Sequence, residues 1–415
     1  MAVYYIDNKL GKAENDGLSA EFPKSDYRTL SINAGDSVLF KRGSFIRGWL
    51  DTTGGEVGAP VTYGAYGDGD APVFCGSLNV SGESNWREIS KNVWECIPVT
   101  DGDVGNIVFD CGKSYGTLRW NKEDLAEQGD FWDSRFSARE DKDPGRAQQL
   151  LVYSVGNPGL VYEDVEAVSY ANRCMGRLQS NMVIENLRII NSGVHGFAGA
   201  GENITIRNCV FENIGGCVWS RKLEIRFGNA IELWIHAINV TVEGCSFKSV
   251  YDSCVTHQGP GDQTVPADRF ICKNNIFDTY GMAAFEYRDM MTRNSVFEGN
   301  ICKNAGCGFA MQGEVLPRKS EIWPQPMGHH IFLWRIPRAT EGGELKIINN
   351  EFGPAPVGAA IYSIISPEAE AQMVINNNKY TENEILLIRF GGVNYSSLEE
   401  YSQASGNDKE SAYIL

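Results

Sequence analysis

Two glutamates, Glu232 and Glu286, have the residue type and spacing for acid–base chemistry. They occupy equivalent positions in two segments, GNAIELW (228–234) and MAAFEYR (282–288), with the similar segment DSCVTHQ (252–258) between them. If the three segments are adjacent parallel strands, the backbones of the two glutamates lie about 10 Å apart, which is two strand spacings. Side chains that lean together would place the two carboxyl groups roughly 6.5–9.5 Å apart. This is the distance between the general acid and the general base in enzymes that hydrolyse an acetal bond with inversion. Two solvated carboxylates on a groove wall are the alternative.

Two histidines and an aspartate form a second candidate catalytic group. His195 begins one of the aligned segments and His257 ends another, so we expect both at the edges of a groove, with Asp252 nearby. An imidazole beside a carboxylate can act as a general acid or base near neutral pH. A histidine that only hydrogen-bonds a turn carbonyl is the competing interpretation.

Cationic, amide and aromatic side chains around the same segments are candidates for ligand binding. Arg or Lys beside a uronate carboxylate would neutralise it and acidify the neighbouring C–H, as β-elimination requires, but the same cations could form salt bridges to the glutamates. Aromatic rings provide stacking surfaces and are also common core residues. The binding candidates are Lys222, Arg226, Trp234, Gln258, Tyr287, Arg288 and Gln312.

A repeating framework must position these side chains, because short β-branched segments recur through the chain. VIENLRI (183–189), ITIRNCVF (204–211) and VTVEGCSF (240–247) are three of seven such runs, and each contains an Asn or Gly at the same place. A tight bend there needs the left-handed conformation that Asn and Gly adopt at low cost. Strands separated by loops of variable length are typical of a solenoid with insertions. The column of bend residues is Asn186, Asn208, Gly244, Asn274, Gly299, Asn349 and Asn377.

The predicted fold class is all-β, a single-stranded right-handed parallel β-helix with long loop insertions. We predict one domain, 1–415, with an N-terminal cap at 1–30, coils over roughly 30–390 and a C-terminal tail at 391–415. The asparagines of the column should stack on one edge. Because side chains alternate across a strand, the second strand of each coil has an inward row, Phe197, Ile231, Val255, Phe285, Phe309 and Ile361, and an outward row, Ala198, Glu232, Thr256, Glu286, Ala310 and Tyr362.

Composition excludes several classes of protein. With 37 Lys and Arg against 53 Asp and Glu, the net charge is −16, which argues against a nucleic-acid partner. No apolar run is long enough to span a membrane, so no membrane partner is predicted. Metal-binding motifs are missing, so we predict no cofactor, although calcium held by scattered aspartates stays open.

The eleven cysteines show neither a disulfide framework nor paired CxxC motifs. Cys209 and Cys245 take equivalent positions in two repeats, so we expect them buried and reduced in the core. Reduced thiols and the lack of a visible signal sequence favour a cytoplasmic protein, or a secreted one if a leader was removed.

Several segments are similar to a known group of proteins. YYIDNKLGKAENDGLS, AGDSVLFKRGSFIRGWL and APVTYGAYGDGDAPVF resemble the N-terminal part of bacterial right-handed parallel β-helix proteins of the pectate-lyase-like superfamily. GNIVFDCGKSYGTLRW, FGNAIELW and VYDSCVTHQG are similar to a subgroup with alginate-lyase-like and glycosidase-like members. The resemblance implies a β-helix acting on a polysaccharide or oligosaccharide, by lyase or hydrolase chemistry.

Three functions therefore stay open. The first is a glycoside hydrolase with Glu232 and Glu286 as paired carboxylates. The second is a polysaccharide lyase acting on a uronate-containing glycan such as alginate, with His195 or Lys222 as the base and Arg288 near the substrate carboxylate. The third is a non-catalytic glycan-binding β-helix. A monomer and a homo-oligomer are both compatible with the sequence.

Overall fold

Three long sheets of mostly parallel strands form the framework of the protein. Each coil passes through a first, a second and a third sheet in turn, and each strand pairs in parallel with its counterpart in the next coil. The predicted fold class, an all-β parallel β-helix with long insertions, is confirmed. The computed structural model describes residues 1–98, 100, 102–135, 148–170, 173–259, 267–309, 327–334, 342–355, 359–364, 369, 371–381 and 387–414.

The strands of the three sheets have the following bounds. The first sheet contains Val3–Ile6, Ser37–Lys41, Val61–Tyr66, Met182–Glu185, Glu202–Arg207, Ile238–Glu243, Asp268–Lys273, Ser295–Glu298, Leu345–Ile348 and Met373–Asn376. The second sheet contains Phe45–Arg47, Val73–Cys75, Arg188–Ser192, Val210–Ile214, Ser246–Val250, Ile276–Tyr280, Ile301–Ala305, Glu351–Phe352, Lys379–Thr381 and Ala412–Ile414. The third sheet contains Cys174–Leu178, His195–Gly199, Ile231–Leu233, Ser253–Gln258, Ala283–Arg288, His329–Trp334, Tyr362–Ile364, Ile388–Phe390 and the antiparallel Val393–Tyr395.

An insertion over residues 77–169 interrupts the coils. It differs from the prediction, which had continuous coils from about residue 30. Its strands pair mainly antiparallel and enclose an apolar core of their own, around Trp86, Phe109 and Phe131. One sheet contains Ser77–Asn79, Val104–Phe109, Ser114–Tyr115 and Val165–Ser169. The other contains Trp86–Ser90, Val93–Cys96, Thr117–Leu118, Asp130–Asp133 and Leu150–Tyr153.

The remaining elements are short. A hairpin is formed by Cys217–Ser220 and Ile225–Phe227, and the α-helices are Pro158–Val161 and Leu398–Ser405. Single 3₁₀ turns lie at Tyr27–Thr29, Glu83–Asn85, Asp110–Gly112 and Lys122–Asp124. Within the described ranges, no helix is both long and apolar enough to cross a bilayer.

The bend between the first and second sheets has the predicted conformation. Every Asn and Gly of the column has a φ between 53° and 64°. Gly244 is required for a further reason, because a Cβ there would lie 2.6 Å from the Oδ1 of Asn208 in the preceding coil. A residue with a side chain would therefore clash with the asparagine below it.

The hydrogen-bonded ladder lies one residue further along than predicted. Asn275, Asn300, Asn350 and Asn378 are buried, and each of the first three donates from Nδ2 to the Oδ1 of the next, over 3.0–3.1 Å. The same Oδ1 atoms accept the backbone N–H of the preceding ladder residue. These amides satisfy the polar groups of the bend inside the core, where an unpaired group is costly.

Cysteines occupy the same column in the earlier coils. Cys209 and Cys245 are buried and reduced, as predicted, and each thiol lies 3.4 Å from a carbonyl oxygen two residues earlier in the chain. All eleven cysteines lie in the described residues, and none forms a disulfide. The thiols therefore serve as small core groups beneath the asparagine ladder.

Candidate functional site

The strands that were predicted to carry the outward row belong to the third sheet, and the row lies on the outer face of that sheet. The register pairs Ala198 with Glu232, Glu232 with Thr256, and Thr256 with Glu286, so the first four members of the outward row are confirmed. The two glutamates are thus two strands apart on one rigid face. Glu232 is the more accessible, with 10% of its side chain exposed, whereas Glu286 is 1% exposed.

The row differs from the prediction after Glu286. The strand that follows is His329–Trp334 rather than the segment 307–313, so Phe332 pairs with Glu286. Ser363 comes next, which turns Tyr362 inward, where its hydroxyl bonds to that of Tyr380. Phe309 packs instead against Tyr251, in a small cluster outside the main core. Ala310 lies outside the described residues.

A second outward row arises because two successive side chains face inward at the start of each strand. Ala230 and Ile231 both belong to the core, as do Cys254 with Val255 and Ala284 with Phe285. Strict alternation is broken at these pairs, so the residue before each pair faces the outer side again. This second row contains His195, Asn229, Ser253, Ala283 and His329.

The carboxylate of Glu232 is fixed by two side-chain donors. Asn229 donates from Nδ2 to Oε2 over 2.7 Å, and Trp234 donates from Nε1 to Oε1 over 2.7 Å. Hydrogen bonds to both oxygens restrict the rotation of the carboxylate. Glu232 is therefore a pre-oriented and largely buried carboxylate, with 10% of its side chain exposed.

His195 lies against the same carboxylate. Its Nδ1 is 3.1 Å from Glu232 Oε2 and accepts the backbone N–H of Asn229 over 3.1 Å. Burial lowers the pKa of His195, while the Glu232 charge acts in the opposite direction. In the neutral ring the Nδ1 lone pair accepts the Asn229 N–H, whereas a proton bound at Nδ1 would instead donate to Glu232 Oε2.

Glu286 belongs to the same network through two intermediate residues. Ser253 donates from Oγ to Glu286 Oε2 over 2.7 Å, and its backbone N–H donates to Asn229 Oδ1 over 2.9 Å. Asn229 therefore contacts Glu232 through its nitrogen and Ser253 through its oxygen. Asp252, the residue before Ser253, accepts the backbone N–H of Gly228 over 2.9 Å and lies close enough to His195 to act on its charge. The structure thus brings four of the five predicted catalytic residues together.

Polar and aromatic groups extend this surface along the strands. The guanidinium of Arg173 lies 4.6 Å above the Trp234 ring, a stacking geometry that presents an ordered flat surface. Gln258 and Arg288, both partly exposed, are paired across strands by a 3.3 Å hydrogen bond, and Arg288 lies 3.7 Å from the carboxylate of Asp289. Trp234, Gln258 and Arg288 thus take the partly exposed positions that the sequence predicted.

His257 is placed in the core, which corrects its expected position at the groove edge. It is fully buried, with Nδ1 bonded to Thr292 Oγ1 over 2.7 Å and the ring next to Phe270. Burial lowers the pKa of His257 to about 4. The residue faces inward because it follows Thr256 of the outward row, so it cannot meet a ligand on the outer face.

Two predicted binding residues are structural instead. Tyr287 is fully buried and donates its hydroxyl to Ser295 over 2.7 Å, since it follows Glu286 and must face inward. Arg226 is buried in the hairpin and donates to the carbonyl oxygens of Gly216 and Gly105, which joins the coils to the insertion.

Two other binding candidates have different outcomes. Lys222 is exposed in the turn of the Cys217–Ser220 and Ile225–Phe227 hairpin. Gln312 lies outside the described residues.

Asn229 and Ser253 are the site residues that sequence reasoning missed. A signal was present, because each stands two residues before an inward apolar residue, in the position that His195 holds relative to Phe197. Strict alternation assigned that position to the interior. Among the described residues, no group of three or more His, Cys, Asp or Glu side chains is arranged to hold a metal ion.

Comparison with known proteins gives structural matches. The GH136 lacto-N-biosidase from Eubacterium ramulus superposes with a TM-score of 0.53 at 15% identity, over 92% of this chain and 56% of that one. XylC in complex with xylose gives a TM-score of 0.52 at 10% identity, over 92% of this chain and 68% of that one. The chain thus spans little more than half of the lacto-N-biosidase structure. It shares the parallel β-helix fold of these proteins. No protein-family model and no curated protein matches the chain.

Proposed function

We propose that the chain is a carbohydrate-active enzyme that hydrolyses a glycosidic bond over the outer face of the third sheet. The observation that carries this proposal is the carboxylate of Glu232, held by Asn229 and Trp234, in contact with His195 and with 10% of its side chain exposed. Glu286 lies two strands away on the same face and belongs to the same hydrogen-bond network. Two strand spacings place the backbones about 10 Å apart, and side chains that lean together from there would suit hydrolysis with inversion.

The surroundings of the two carboxylates favour different roles. Glu232, with a donor on each oxygen, is the general base that takes a proton from water as the water oxygen bonds to the anomeric carbon. Glu286, enclosed and paired with Phe332, is the general acid that gives its proton to the departing glycosidic oxygen as the C–O bond breaks. His195 lies against Glu232 Oε2, where a proton that it takes up on Nδ1 would donate to the carboxylate.

Two features of the surrounding surface support a saccharide as substrate. Trp234 with Arg173 stacked on it offers a flat face to a sugar ring, and Gln258 with Arg288 offers an amide and a cation for hydroxyl groups. Of the two fold relatives, XylC forms a complex with xylose, and the GH136 protein is a lacto-N-biosidase. A polysaccharide or oligosaccharide is therefore the proposed partner.

A β-eliminating lyase is the second candidate, because burial keeps His195 neutral and thus able to accept a proton. Arg288 would then neutralise the uronate carboxylate. A hydrolase is favoured, since the Nδ1 of His195 already accepts a backbone N–H and lies against Glu232.

A panel of neutral and uronate-containing polysaccharides tests the proposal, with reducing ends and ultraviolet absorbance read in parallel. A hydrolase releases reducing ends without an absorbance change. A rise in absorbance from an unsaturated uronate would establish the lyase instead. No turnover on any glycan, with binding retained, would leave a glycan-binding protein.

A further inference from the structure

A cavity of about 360 Å³ lies on a different face of the protein from the two glutamates. One wall is the outer surface of the second sheet, with Arg188, Glu212 and Lys248, and the other is the four-stranded sheet of the insertion, with Val108 and Glu166. Its size lies within the range of small-molecule sites, roughly 300–1,000 Å³. The insertion therefore forms the second wall of a half-open cavity that the second sheet alone does not have.

The charges that line this cavity balance. Three cations face three carboxylates, which leaves no net formal charge in a protein whose total charge is −16. A balanced lining favours neither a metal cation nor a polyanion. The six charged residues are Arg47, Arg188, Lys248, Asp164, Glu166 and Glu212.

Most of these charges are already held in place. Arg47 makes two hydrogen bonds to Glu166, of 2.9 and 2.6 Å, and Glu166 also accepts from Ser77 and Asn79. On the opposite wall Arg188 donates from Nε to Glu212 over 2.8 Å. Side chains that are already fixed by ion pairs line the cavity without the entropy cost of ordering them on binding.

Apolar and aromatic groups complete the lining. Phe45 lines the cavity with 42% of its surface exposed, and Tyr115 donates its hydroxyl to Asn213 over 2.8 Å. Val108 and Ile190 add aliphatic surface. Sugar rings combine apolar C–H faces with hydroxyl groups, so they match a lining of aromatic surface, amides and balanced ion pairs.

We propose that this cavity is a second, non-catalytic binding site for one or two residues of a neutral saccharide. It would hold a glycan on the second sheet, independently of the chemistry over the third sheet. The proposal concerns binding alone and involves no covalent step.

The test uses the full chain with cellobiose, xylobiose, lactose and chitobiose, and digalacturonate as the anionic comparison. We expect crystals soaked in at least one neutral disaccharide to show the sugar in the cavity. Ile190→Trp, which fills the cavity, should weaken that binding at least tenfold by calorimetry. The matched control is Ile276→Trp, at a 43% exposed position of the same sheet that does not line the cavity, and it should leave binding unchanged.

A second variant separates loss of binding from loss of folding. Phe45→Ala removes an exposed ring and should weaken saccharide binding while the thermal unfolding midpoint stays the same. None of the three variants should alter turnover on a short substrate, so failure here is distinct from failure of the proposed catalysis. The proposal is overturned if no disaccharide occupies the cavity, if digalacturonate is preferred, or if Ile190→Trp binds the sugar as well as the unaltered chain.

Discussion

The side-chain amide of Asn229 donates to the carboxylate of Glu232 over 2.7 Å, although the two residues are three positions apart on one chain. Two consecutive inward residues, Ala230 and Ile231, separate them and return both to the outer face. The other end of the same amide accepts the N–H of Ser253 in the next coil. Asn229 therefore ties the position of Glu232 to the strand spacing of the solenoid.

Replacing this amide should impair catalysis more than binding. Asn229→Ala removes one of the two donors to Glu232, so we expect kcat to fall at least ~10-fold with KM little changed. Thr241→Ala, on the first sheet, is the control and should leave both kcat and KM unchanged. A rise in KM with kcat unchanged in Asn229→Ala would contradict the positioning role.

His257 should make stability depend on pH. As pH falls through about 6.5 the unfolded histidine takes up a proton, whereas the buried one stays neutral until about 4. The unfolded state therefore binds more protons in this window, so the unaltered protein loses stability as pH falls. Relative to His257→Gln, the loss should reach about 3 kcal/mol by pH 4. Chemical denaturation at several pH values measures it.

A stability difference between His257→Gln and the unaltered protein that stays constant from about pH 7 to about pH 4 would contradict this prediction. It would show that His257 is not buried in the neutral form.

The asparagine ladder should dominate the stability of the bend. Asn300 accepts the backbone N–H and side-chain amide of Asn275, so Asn300→Ala leaves the buried backbone N–H without a partner and the amide with Val242 as its remaining oxygen acceptor. We expect a loss of at least ~2 kcal/mol in the free energy of unfolding. Asn376→Ala, at a partly exposed position with a hydrogen bond to Glu410, should cost less than ~1 kcal/mol. Equal losses in the free energy of unfolding for Asn300→Ala and Asn376→Ala, measured by urea denaturation, would contradict the claim that the ladder stabilises the bend.

The thiols should react in the order of their exposure. Cys111 and Cys307 are exposed, whereas Cys209 and Cys245 are buried in the core. An aromatic disulfide reagent should therefore label the first two quickly and all eleven only after unfolding. Cys209→Ala with Cys245→Ala should cost a few kcal/mol at most and leave turnover intact. Fewer than eleven thiols in unreduced, unfolded protein would reveal a disulfide.

The sequence was sufficient for the features that repeat. Left-handed bends at Asn186 and Asn208 follow from residue type alone, and the row from Ala198 to Glu286 follows from aligning similar strands. His257 was misplaced because its expected position at the groove edge rested on where its segment ends, whereas the residue after Thr256 must face the core.

The remaining differences depend on tertiary packing. Asn229 and Ser253 were missed because alternation fails where two small or apolar side chains enter the core together. The insertion over 77–169 forms its own core from residues that are far apart in sequence. No repeating pattern of neighbouring residues therefore indicates it. The segment that follows Ala283–Arg288 in the third sheet could not be identified from the sequence, because the letters of segment 307–313 resemble a strand as closely as those of His329–Trp334 do.

The most direct test of the proposed chemistry compares Glu232→Gln with Glu286→Gln on a matched pair of glycosides, found by the polysaccharide panel. One has a natural sugar leaving group, and the other has dinitrophenolate, which departs without protonation. Glu232→Gln should lower turnover at least ~10²-fold on both substrates while binding persists, and Glu286→Gln should do so on the natural one alone. Near-normal turnover by both variants on the natural glycoside would contradict the paired-carboxylate mechanism.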